Sequence, residues 1–342
     1  MASSGLATFI AALCVVALWG LWEYARPGPT ARHGPETTVI LRHGAGLQEI
    51  GANLEDQGVV RSASLFMTAA QVTGAARGLK AGEYAFPSRL PLGRVIWLIQ
   101  HGRIVHHHVT IPEGVTAEQA IAILADADVL VGSAPVPAEG SILPDTYDVI
   151  RGADRAAVLQ RMVGARDQLV AELWPHRRAD LPFKTPEEAI ILASIVEKET
   201  GLASERPRVA AVFVNRLRKG IRLESDPTII YGLTRGQPLG RGIRESELQA
   251  ATPYNTYRIA GLPPTPICNP GRAAIAAVLD PPQSDDLYFV ADGAGGHAFA
   301  ATLADHDRNV QHWRQIEQQR AAHPQAAAPP DRSLRGEVHN GR

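Results

Sequence analysis

The segment TPEEAIILASIVEKETG, residues 185–201, carries the clearest helix signal in this chain of 342 residues. Thr185 and Glu188 have the spacing of a capping box, and Pro186 takes the favoured first position of a helix. Residues 189–196 include a single polar side chain, so the helix is apolar around its whole circumference. Such a helix is predicted to be buried inside a domain, and the final glycine is predicted to end it.

Three charged residues, Glu197, Lys198 and Glu199, follow the apolar stretch directly. A carboxylate in the last turn of a buried helix is disfavoured by desolvation and by the negative end of the helix dipole, and both effects favour its protonated form. A carboxylic acid that stays neutral near neutral pH can act as the general acid that breaks a glycosidic bond. The alternative interpretation is the ordinary solvated end of a helix.

The residues after this helix predict a helical hairpin and then two loops. Ser204 is placed as the N-cap of a second helix over residues 205–219. Residues 223–232 and 252–271 are dense in Asp, Asn, Thr, Tyr, Gly and Pro and are predicted to be loops. Sugar-binding sites use tyrosine rings and amide groups on fixed loops, although structural loops use the same residues. The candidate substrate-binding residues are Tyr254, Asn255, Thr256 and Tyr257.

The N-terminal residues 5–24, GLATFIAALCVVALWGLWEY, contain one charged residue and about 18 apolar or small residues in a row, close to the ~20 needed for a membrane-spanning helix. We predict an uncleaved anchor over residues 5–25. A cleaved signal peptide would need a basic segment before the span and a small-x-small site after it, and neither is clear. Arg26 and Arg32 follow the span, so charge alone does not place the rest of the chain outside the cytoplasm.

Residues 37–102 predict a small α+β module. A strand over residues 37–42 precedes a helical pattern and a second helix capped by Ser62, and then a strand-like GEYAF leads to a helix that ends near Gly102. The predicted layout is an N-terminus at 1–4, a transmembrane helix at 5–25, a linker at 26–36, the module with a connecting segment at 37–125, a boundary at 125–139, a larger α+β domain at 140–320 and a disordered tail at 321–342.

Composition argues against metal, cofactor and nucleic-acid chemistry. The chain has 34 Lys and Arg against 35 Asp and Glu, a net charge of −1, and its positive charges are scattered. Cys14 and Cys268 have no second Cys or His at ligand spacing beside them. Three consecutive histidines, His106–His108, would alternate in direction along a solvated edge strand over residues 104–109. We therefore predict no metal, no cofactor and no nucleic-acid partner.

Four segments resemble consecutive signature segments of one enzyme family. They are ILPDTYDV (142–149), IVEKETGLASERPRVAAVFVNRLRKGIRLESDPTIIYG (195–232), TPYNTYRIAGLPPTPICNPG (252–271) and LYFVADGAGGHAFA (287–300). In these segments, and over nearly its whole length, the chain resembles the endolytic murein transglycosylase family, also called MltG or YceG-like.

The resemblance implies a membrane-anchored enzyme on the outer side of the cytoplasmic membrane. Members of the family cleave nascent peptidoglycan between N-acetylmuramic acid (MurNAc) and N-acetylglucosamine (GlcNAc), which is expected to terminate glycan elongation. A LysM-like module precedes their catalytic domain, so residues 37–102 are expected to be that module and residues 140–320 the catalytic domain. The N-terminus is then cytoplasmic and the bulk periplasmic. The expected partners are peptidoglycan strands, the cytoplasmic membrane and peptidoglycan synthases.

The family's catalytic residue is a glutamate in the IVEKET segment, which leaves Glu197 and Glu199 as candidates. Lytic transglycosylases more broadly place their acid directly before a Ser or Thr at a helix end, and Glu199-Thr200 matches that pattern. The resemblance therefore selects Glu199. Residues two apart on a helix lie about 200° apart around its axis, so Glu197 is expected to be a supporting group or a partner for Arg or Lys.

A single acid implies a specific mechanism. Glu199 would protonate the glycosidic oxygen and then take a proton from the sugar's own C6 hydroxyl, giving a 1,6-anhydroMurNAc end without water as nucleophile. Asp226 is the nearest candidate for a second carboxylate, although its SDPT context equally allows a turn-capping role. Two alternatives stay open: a two-carboxylate peptidoglycan hydrolase that uses Asp226, and a non-catalytic, membrane-tethered, glycan-binding scaffold.

Overall fold

Helices and strands both occur along most of the chain, so the structure, a computed structural model that describes residues 2–322, has the mixed α+β class predicted from the sequence. The predicted disordered tail, residues 321–342, lies outside the described residues from position 323 onward. The chain forms two compact units. The smaller unit contains the chain up to Val109 with Ala125–Ser133 and Tyr147–Val158, and the larger contains Thr110–Leu124, Ala134–Thr146 and the chain from Leu159 onward.

The chain passes between these units several times between Val109 and Leu159, and one of these passages, after Ser133, lies within the predicted boundary over residues 125–139. Ala125–Ser133 belongs to the smaller unit, whereas Ala134–Thr146 belongs to the larger one. The two units therefore interleave in sequence, because each takes short segments from the region that connects the module to the C-terminal part of the chain.

The module predicted in the smaller unit has the expected order of strand, helix, helix, strand and helix. Strand β1 (Glu36–Leu41) and strand β2 (Gly82–Pro87) are antiparallel, with Val39 opposite Tyr84. The helices bury Leu54, Phe66 and Ile96 in the core that they share with the strands. The elements are α1 (Ala2–Ala25), β1 (Glu36–Leu41), α2 (Leu47–Asp56), α3 (Ala63–Val72), a 3₁₀ turn (Ala75–Arg77), β2 (Gly82–Pro87) and α4 (Leu92–His101).

Two predicted helix boundaries in this module are confirmed. The Ser62 hydroxyl accepts a hydrogen bond from the Leu65 N–H and caps α3. Gly102 ends α4 with a φ of 65°, in the left-handed region that a side chain would disfavour.

Helix α1 contains a window, Thr8–Ala25, that is long and apolar enough to cross a membrane, and among the described residues no other helix passes that test. A signal sequence has the same length and composition. Large apolar side chains on this helix are more than half exposed, including Phe9, Val15 and Leu18. Apolar surface of this extent normally needs a membrane or a partner to cover it.

The connecting region contains short strands and two helices: β3 (His107–Thr110), α5 (Ala117–Asp126), β4 (Leu130–Val131), β5 (Thr146–Val149), β6 (Ala153–Asp154) and α6 (Arg155–Leu173). Strand β3 pairs with β5, and β4 pairs with β6 in parallel.

One of the three histidines, His107, is less solvated than predicted, whereas His106 and His108 are exposed. The exposed His106 lies 2.8 Å from Asp148. His107 is about three-quarters buried, and its Nε2 lies 2.5 Å from Glu83 Oε2, which also accepts a hydrogen bond from Arg151 at 3.0 Å. The prediction of a wholly solvated edge strand is therefore wrong at His107, because a buried carboxylate on β2 engages its ring.

The remaining elements, all in the larger unit, include a 3₁₀ turn (Trp174–His176), α7 (Pro186–Glu199), α8 (Arg206–Arg218), α9 (Asp226–Thr234), α10 (Glu245–Gln249), α11 (Arg272–Leu279), β7 (Tyr288–Ala291), β8 (His297–Ala300) and α12 (Leu303–Ala322). Helices α7, α8 and α11 pack on one another and supply most of the core. Strands β7 and β8 form an antiparallel hairpin with Phe289 opposite Phe299, and α12 packs against this hairpin.

Helix α7 matches its prediction closely. The Thr185 hydroxyl accepts from the Glu188 N–H at 3.2 Å, and the Glu188 carboxylate accepts from the Thr185 N–H at 3.1 Å, which completes the capping box. Seven of the residues between Ala189 and Val196 are buried. The predicted buried, apolar helix is therefore confirmed, and it ends with Glu199 as its last residue.

Two local predictions after α7 are wrong. Ser204 does not cap α8, because a turn in which the Glu205 N–H donates to the Leu202 carbonyl delays the helix start to Arg206. Residues 223–232 are not simply a loop, because helix α9 begins within them at Asp226. Asp, Ser, Thr and Pro favour turns but also begin helices, so local composition did not separate the two outcomes.

Candidate active site

Glu199 lies at the C-terminal end of α7 with its side chain partly buried. Burial raises the pKa of this carboxyl to about 7. The hydrogen bond from Ser225 lowers the pKa, the nearby carboxylate of Asp226 raises it, and His297 and Arg216 lower it. Desolvation, the effect predicted for a carboxylate at the end of a buried helix, is the largest of these causes.

Glu199 opens into a cleft of about 380 Å³ within the larger unit, a size typical of small-ligand sites. The walls of the cleft come from helices α7, α8, α9 and α12, from strand β7 and from the loop after α10. The residues that define it include Glu199, Arg216, Glu224, Asp226, Tyr257, Phe289 and His306.

Two of the other predicted residues, Asp226 and Tyr257, join Glu199 in this cleft. Asp226 is exposed at the start of α9, and its Oδ1 accepts a hydrogen bond from the Tyr257 hydroxyl at 2.7 Å. Burial, together with this carboxylate, raises the pKa of Tyr257 above its ordinary value. Tyr257 therefore stays a neutral hydroxyl that can donate a hydrogen bond, and Asp226 does more than cap a turn.

Glu197, the second choice for the acid, contacts a different set of groups. Its Oε2 accepts from the Gly271 N–H at 2.9 Å, and its Oε1 lies 3.4 Å from the Arg206 guanidinium. Burial raises the pKa of Glu197, and Gly271 and Arg206 oppose the rise. Of the two roles expected for Glu197, a supporting group or a partner for Arg or Lys, the contact with Arg206 matches the second. A Cβ at Gly271 would lie 1.8 Å from Glu113 Oε1, so a side chain there would require the Glu113 carboxylate to move.

Asn255 and Thr256 are fully buried. The Asn255 amide donates to the carbonyls of three residues around the end of α10, and its Oδ1 accepts from the Tyr257 N–H at 3.0 Å. The Thr256 hydroxyl accepts from the Ser225 N–H at 2.9 Å. Both side chains are thus occupied inside the protein, where they hold the loop that presents Tyr257 to the cleft.

Tyr254 points to a different part of the surface. Its hydroxyl lies 2.7 Å from the Thr265 hydroxyl, and its ring contacts the Tyr231 ring with centroids 5.2 Å apart. The Arg235 guanidinium lies 5.1 Å from the ring centroid. The structure thus brings Tyr257, but not Tyr254, to the cleft that contains Glu199.

A family model described as YceG-like matches residues 39–312. The chain belongs to the YceG-like family. An endolytic murein transglycosylase of Streptococcus pneumoniae serotype 2 (strain D39) is 30% identical over 322 residues, covering 80% of this chain and 57% of the relative. An endolytic murein transglycosylase of Bacillus subtilis (strain 168) is 26% identical over 309 residues, covering 80% of this chain and 84% of the relative.

The chain spans a little over half the length of the streptococcal relatives it matches. A crystal structure of a yceG-like protein from Listeria monocytogenes is similar with a TM-score of 0.51 and 28% identity, over 81% of this chain and 99% of that one. The resemblance found in the four sequence segments is confirmed as family membership.

Sequence reasoning missed several residues of this YceG-like cleft. Arg216 is buried and donates to the carbonyls of Leu287 and Leu223 and to the carboxylate of Glu224. A signal for it existed, because Arg216 falls at helical spacing on the apolar stripe of α8. A cation on an apolar stripe indicates a buried polar partner.

The sequence held no local signal for His306, which reaches the cleft from α12. Its ring stacks on Tyr288 with centroids 5.1 Å apart. Burial lowers the pKa of His306, so it stays neutral near neutral pH. Its Nδ1 is buried, with no hydrogen-bond partner among the described residues.

We expect Glu199→Gln to raise the free energy of unfolding at about pH 8 and to leave it nearly unchanged at about pH 4. The unfolded carboxyl ionises near its ordinary pKa of 4.5, whereas the folded one keeps its proton up to about 7. The unfolded state therefore loses its proton first, so wild-type stability falls as pH rises between these values. The gain on replacement is on the order of 3 kcal/mol at most.

Urea unfolding of the two proteins at several pH values measures this difference. Glu187→Gln, at an exposed position in the first turn of the same helix, is the matched control and should show no comparable pH dependence. An equal stability difference between Glu199→Gln and wild type at both ends of the pH range would contradict a raised pKa at Glu199.

Proposed function

We propose that this chain is an endolytic peptidoglycan lytic transglycosylase. It cleaves the MurNAc–GlcNAc bond of nascent glycan strands, leaves 1,6-anhydroMurNAc ends and thereby terminates elongation. The observation that carries the proposal is a carboxyl with a pKa of about 7, Glu199, at the wall of a cleft. The names of the streptococcal and Bacillus relatives support the substrate class.

Glu199 acts first as an acid and then as a base. It donates its proton to the glycosidic oxygen as the bond from that oxygen to C1 of MurNAc breaks, and the 2-acetamido group stabilises the oxocarbenium centre. The resulting carboxylate takes the proton of the C6 hydroxyl while O6 bonds to C1. A pKa near neutral pH suits both steps, because neither the gain nor the loss of the proton is strongly uphill.

The loop residues divide into two roles under this proposal. Tyr257, with a neutral hydroxyl at the cleft, contacts the sugar next to the broken bond, and Asp226 orients that hydroxyl through their 2.7 Å hydrogen bond. Asn255 and Thr256 act indirectly because they are fully buried. Tyr254 offers an aromatic face to a more distant part of the strand or its peptide.

A two-carboxylate hydrolase is the competing activity. The observation in its favour is that Asp226 lines the same cleft as Glu199. A hydrolase would use water as nucleophile, produce reducing ends and incorporate solvent oxygen. The non-catalytic scaffold would bind peptidoglycan without turnover.

We expect Glu199→Gln to lose about 10²–10⁴-fold in rate, because general acid–base catalysis contributes that much. The variant keeps the size of the side chain and removes its titrating proton. Glu197→Gln is the matched control on the same helix and should lose far less, since Glu197 is bonded to Gly271 and Arg206. The measurement is the rate of muropeptide release from peptidoglycan, with circular dichroism to verify folding.

Mass spectrometry of the products formed in ¹⁸O-labelled water separates the candidate functions. Anhydromuramyl ends without label are expected. Labelled reducing ends would show that the enzyme is a hydrolase, with Asp226 as the candidate second carboxylate. Binding without any turnover would show that the protein is a non-catalytic scaffold. Full activity of Glu199→Gln with loss in Glu197→Gln would show that the other glutamate is the acid.

We also propose that α1 anchors the protein in the cytoplasmic membrane, with its N-terminus in the cytoplasm and both compact units in the periplasm, next to peptidoglycan synthases. The support is the length and apolar character of Thr8–Ala25 and the exposure of its large side chains. A peptidoglycan substrate also requires the cleft to lie outside the cytoplasm.

Intact protein should therefore fractionate with membranes and keep its N-terminus, and a reporter fused to its C-terminus should be active in the periplasm. The physical reason is that no residue pattern after the span favours cleavage. N-terminal sequencing and alkaline extraction of membranes test this. A soluble form that begins after Ala25 would show that α1 is a cleaved signal sequence instead.

The module in the smaller unit is proposed to be LysM-like and to hold the glycan strand. A groove of about 590 Å³ lies between β1 and α2. Its lining mixes polar and apolar side chains, as a sugar site requires, and includes Thr38, Ile40, Arg42, Glu49 and Asn53.

Thr38→Trp, which fills this groove from an exposed strand position, should weaken activity on polymeric sacculi more than on short soluble fragments. A long strand needs the second contact, whereas a short fragment reaches the cleft alone. Gln71→Trp, at an exposed position of α3 outside the groove, is the matched control. Equal losses on both substrates would contradict a binding role for the groove.

A further inference from the structure

Ser225 is the residue in direct hydrogen-bond contact with the carboxyl of Glu199. Its side chain is almost completely buried, at 1% exposure, and its Oγ donates to Glu199 Oε1 at 2.5 Å. Ser225 precedes α9, twenty-six residues along the chain from Glu199. A buried hydroxyl at this distance from a proton donor bears directly on which oxygen holds the proton.

Two buried threonines fix the backbone of Ser225. The Ser225 N–H donates to Thr256 Oγ1 at 2.9 Å, and the Ser225 carbonyl accepts from the Thr228 hydroxyl at 2.6 Å. The two threonine hydroxyls lie 2.9 Å apart, and both residues are fully buried. Ser225 is therefore held on both sides of its peptide unit by side chains that have no access to water.

The Thr228 and Thr256 hydroxyls both lie within hydrogen-bond distance of the Ser225 carbonyl, at 2.6 Å and 3.4 Å. The shorter contact assigns the Thr228 proton to this carbonyl, which leaves the Thr256 proton shared between Thr228 Oγ1 and the same carbonyl. Thr256 then uses a lone pair for the Ser225 N–H. Within the described part of the chain, the only hydrogen-bond partner of Ser225 Oγ is Glu199 Oε1, so the Ser225 proton points there.

We propose that Ser225 is a positioning residue that places the transferable proton of Glu199 on Oε2 and stabilises the carboxylate that forms when this proton leaves. The inference rests on the proposed function of Glu199 as acid and base. An oxygen that already accepts the Ser225 proton cannot donate toward Ser225 as well, so the proton of the acid form resides on the other oxygen. No hydrogen bond from the described residues reaches Oε2.

The consequence is that one oxygen serves both halves of the reaction. Oε2 gives its proton to the glycosidic oxygen, and the same atom later receives the proton of the C6 hydroxyl. While the carboxylate exists, the bond from Ser225 becomes charge-assisted and therefore stronger. An interaction that is stronger in the transition state than in the bound substrate raises kcat rather than lowering KM.

Thr200, which directly follows Glu199, does not fill this role. Its side chain is buried and its Oγ1 accepts from the Leu202 N–H at 3.0 Å, which stabilises the turn after α7. The Glu-Thr pattern therefore marks the end of the helix, whereas the hydroxyl that contacts the acid comes from Ser225.

Several other charged or titratable groups face Glu199 from the elements around it. Asp226 on α9 raises the pKa of Glu199, and His297 on β8 and Arg216 on α8 lower it. Glu224, Tyr257 and His306 are the other charged or titratable groups that line the cleft. All of them remain when only Ser225 is replaced, so a change in the pH profile of that variant reports the Ser225 hydrogen bond.

The test is the pH dependence of kcat and KM for Ser225→Ala in the full chain. We expect kcat to fall about 10- to 100-fold with little change in KM, the loss typical of one hydrogen bond to a charged group. The Ser225 bond favours the ionised form of Glu199, so its removal raises the pKa and the acid form persists to higher pH. The alkaline limb of the kcat/KM profile should therefore shift to higher pH.

Ser225→Thr, which keeps the hydroxyl, should restore the position of the alkaline limb. Thr256→Val should change kcat and the limb in the same direction but less, because among the described residues the Thr256 hydroxyl bonds only to the Ser225 backbone and to the Thr228 hydroxyl. Ser204→Ala removes a serine at an exposed position that does not cap a helix, and should leave both quantities unchanged. Thermal unfolding verifies folding, and if Ser225→Ala does not fold, the same two measurements on Thr256→Val decide the question.

Either of two results overturns the inference: a folded variant with wild-type kcat, or a folded variant whose kcat falls while its alkaline limb stays in place. Loss of activity in Glu199→Gln together with either result leaves the proposed function intact and removes only the role of Ser225. A wild-type enzyme that forms no anhydromuramyl ends would instead refute the proposed function.

Discussion

Removal of the Glu199 carboxyl from water is the constraint on which the rest of the site depends. Helix α7 is apolar on all sides between Ala189 and Val196 and packs against α8 and α11, and its last residue, Glu199, is partly buried. Burial then raises the pKa of Glu199 to about 7. A buried carboxyl without compensation is unfavourable. Ser225, His297 and Arg216 lower the pKa of Glu199, and this keeps its proton exchangeable.

That polarity comes from segments that are distant in sequence but converge on the end of α7. Glu224, immediately before Ser225, has a φ of 54°, which is unfavourable for a residue with a side chain. Two contacts hold it there: the Arg216 guanidinium at 2.9 Å and the bond from its N–H to the Thr256 carbonyl at 3.2 Å. The strained turn thus brings the Ser225 hydroxyl to Glu199 Oε1 and places Asp226 in the same cleft as Glu199.

Features set by neighbouring residues were predictable from the sequence, and features set by tertiary packing were not. The capping box of α7 and the module's order of elements follow from local spacing and helix geometry. The Asn255 amide, predicted to bind sugar, instead donates to carbonyls of α10 and of the residue that follows it, which composition does not reveal. Ser225 has the sequence context of an ordinary turn residue. Its contact with Glu199 was not predictable from that context, because Glu199 lies on another helix, 26 residues away in the chain.

The two glutamates of α7 show why burial alone does not make an acid. Burial raises the pKa of both Glu197 and Glu199. In Glu197, however, Oε1 lies next to the Arg206 guanidinium and Oε2 accepts from the Gly271 N–H. These two groups compensate a negative charge on Glu197. Glu199 receives one neutral hydroxyl on Oε1, and no cation pairs directly with it among the described residues. Its proton is therefore bound weakly enough to leave and strongly enough to return, which is the property that a single group needs to serve as acid and then as base.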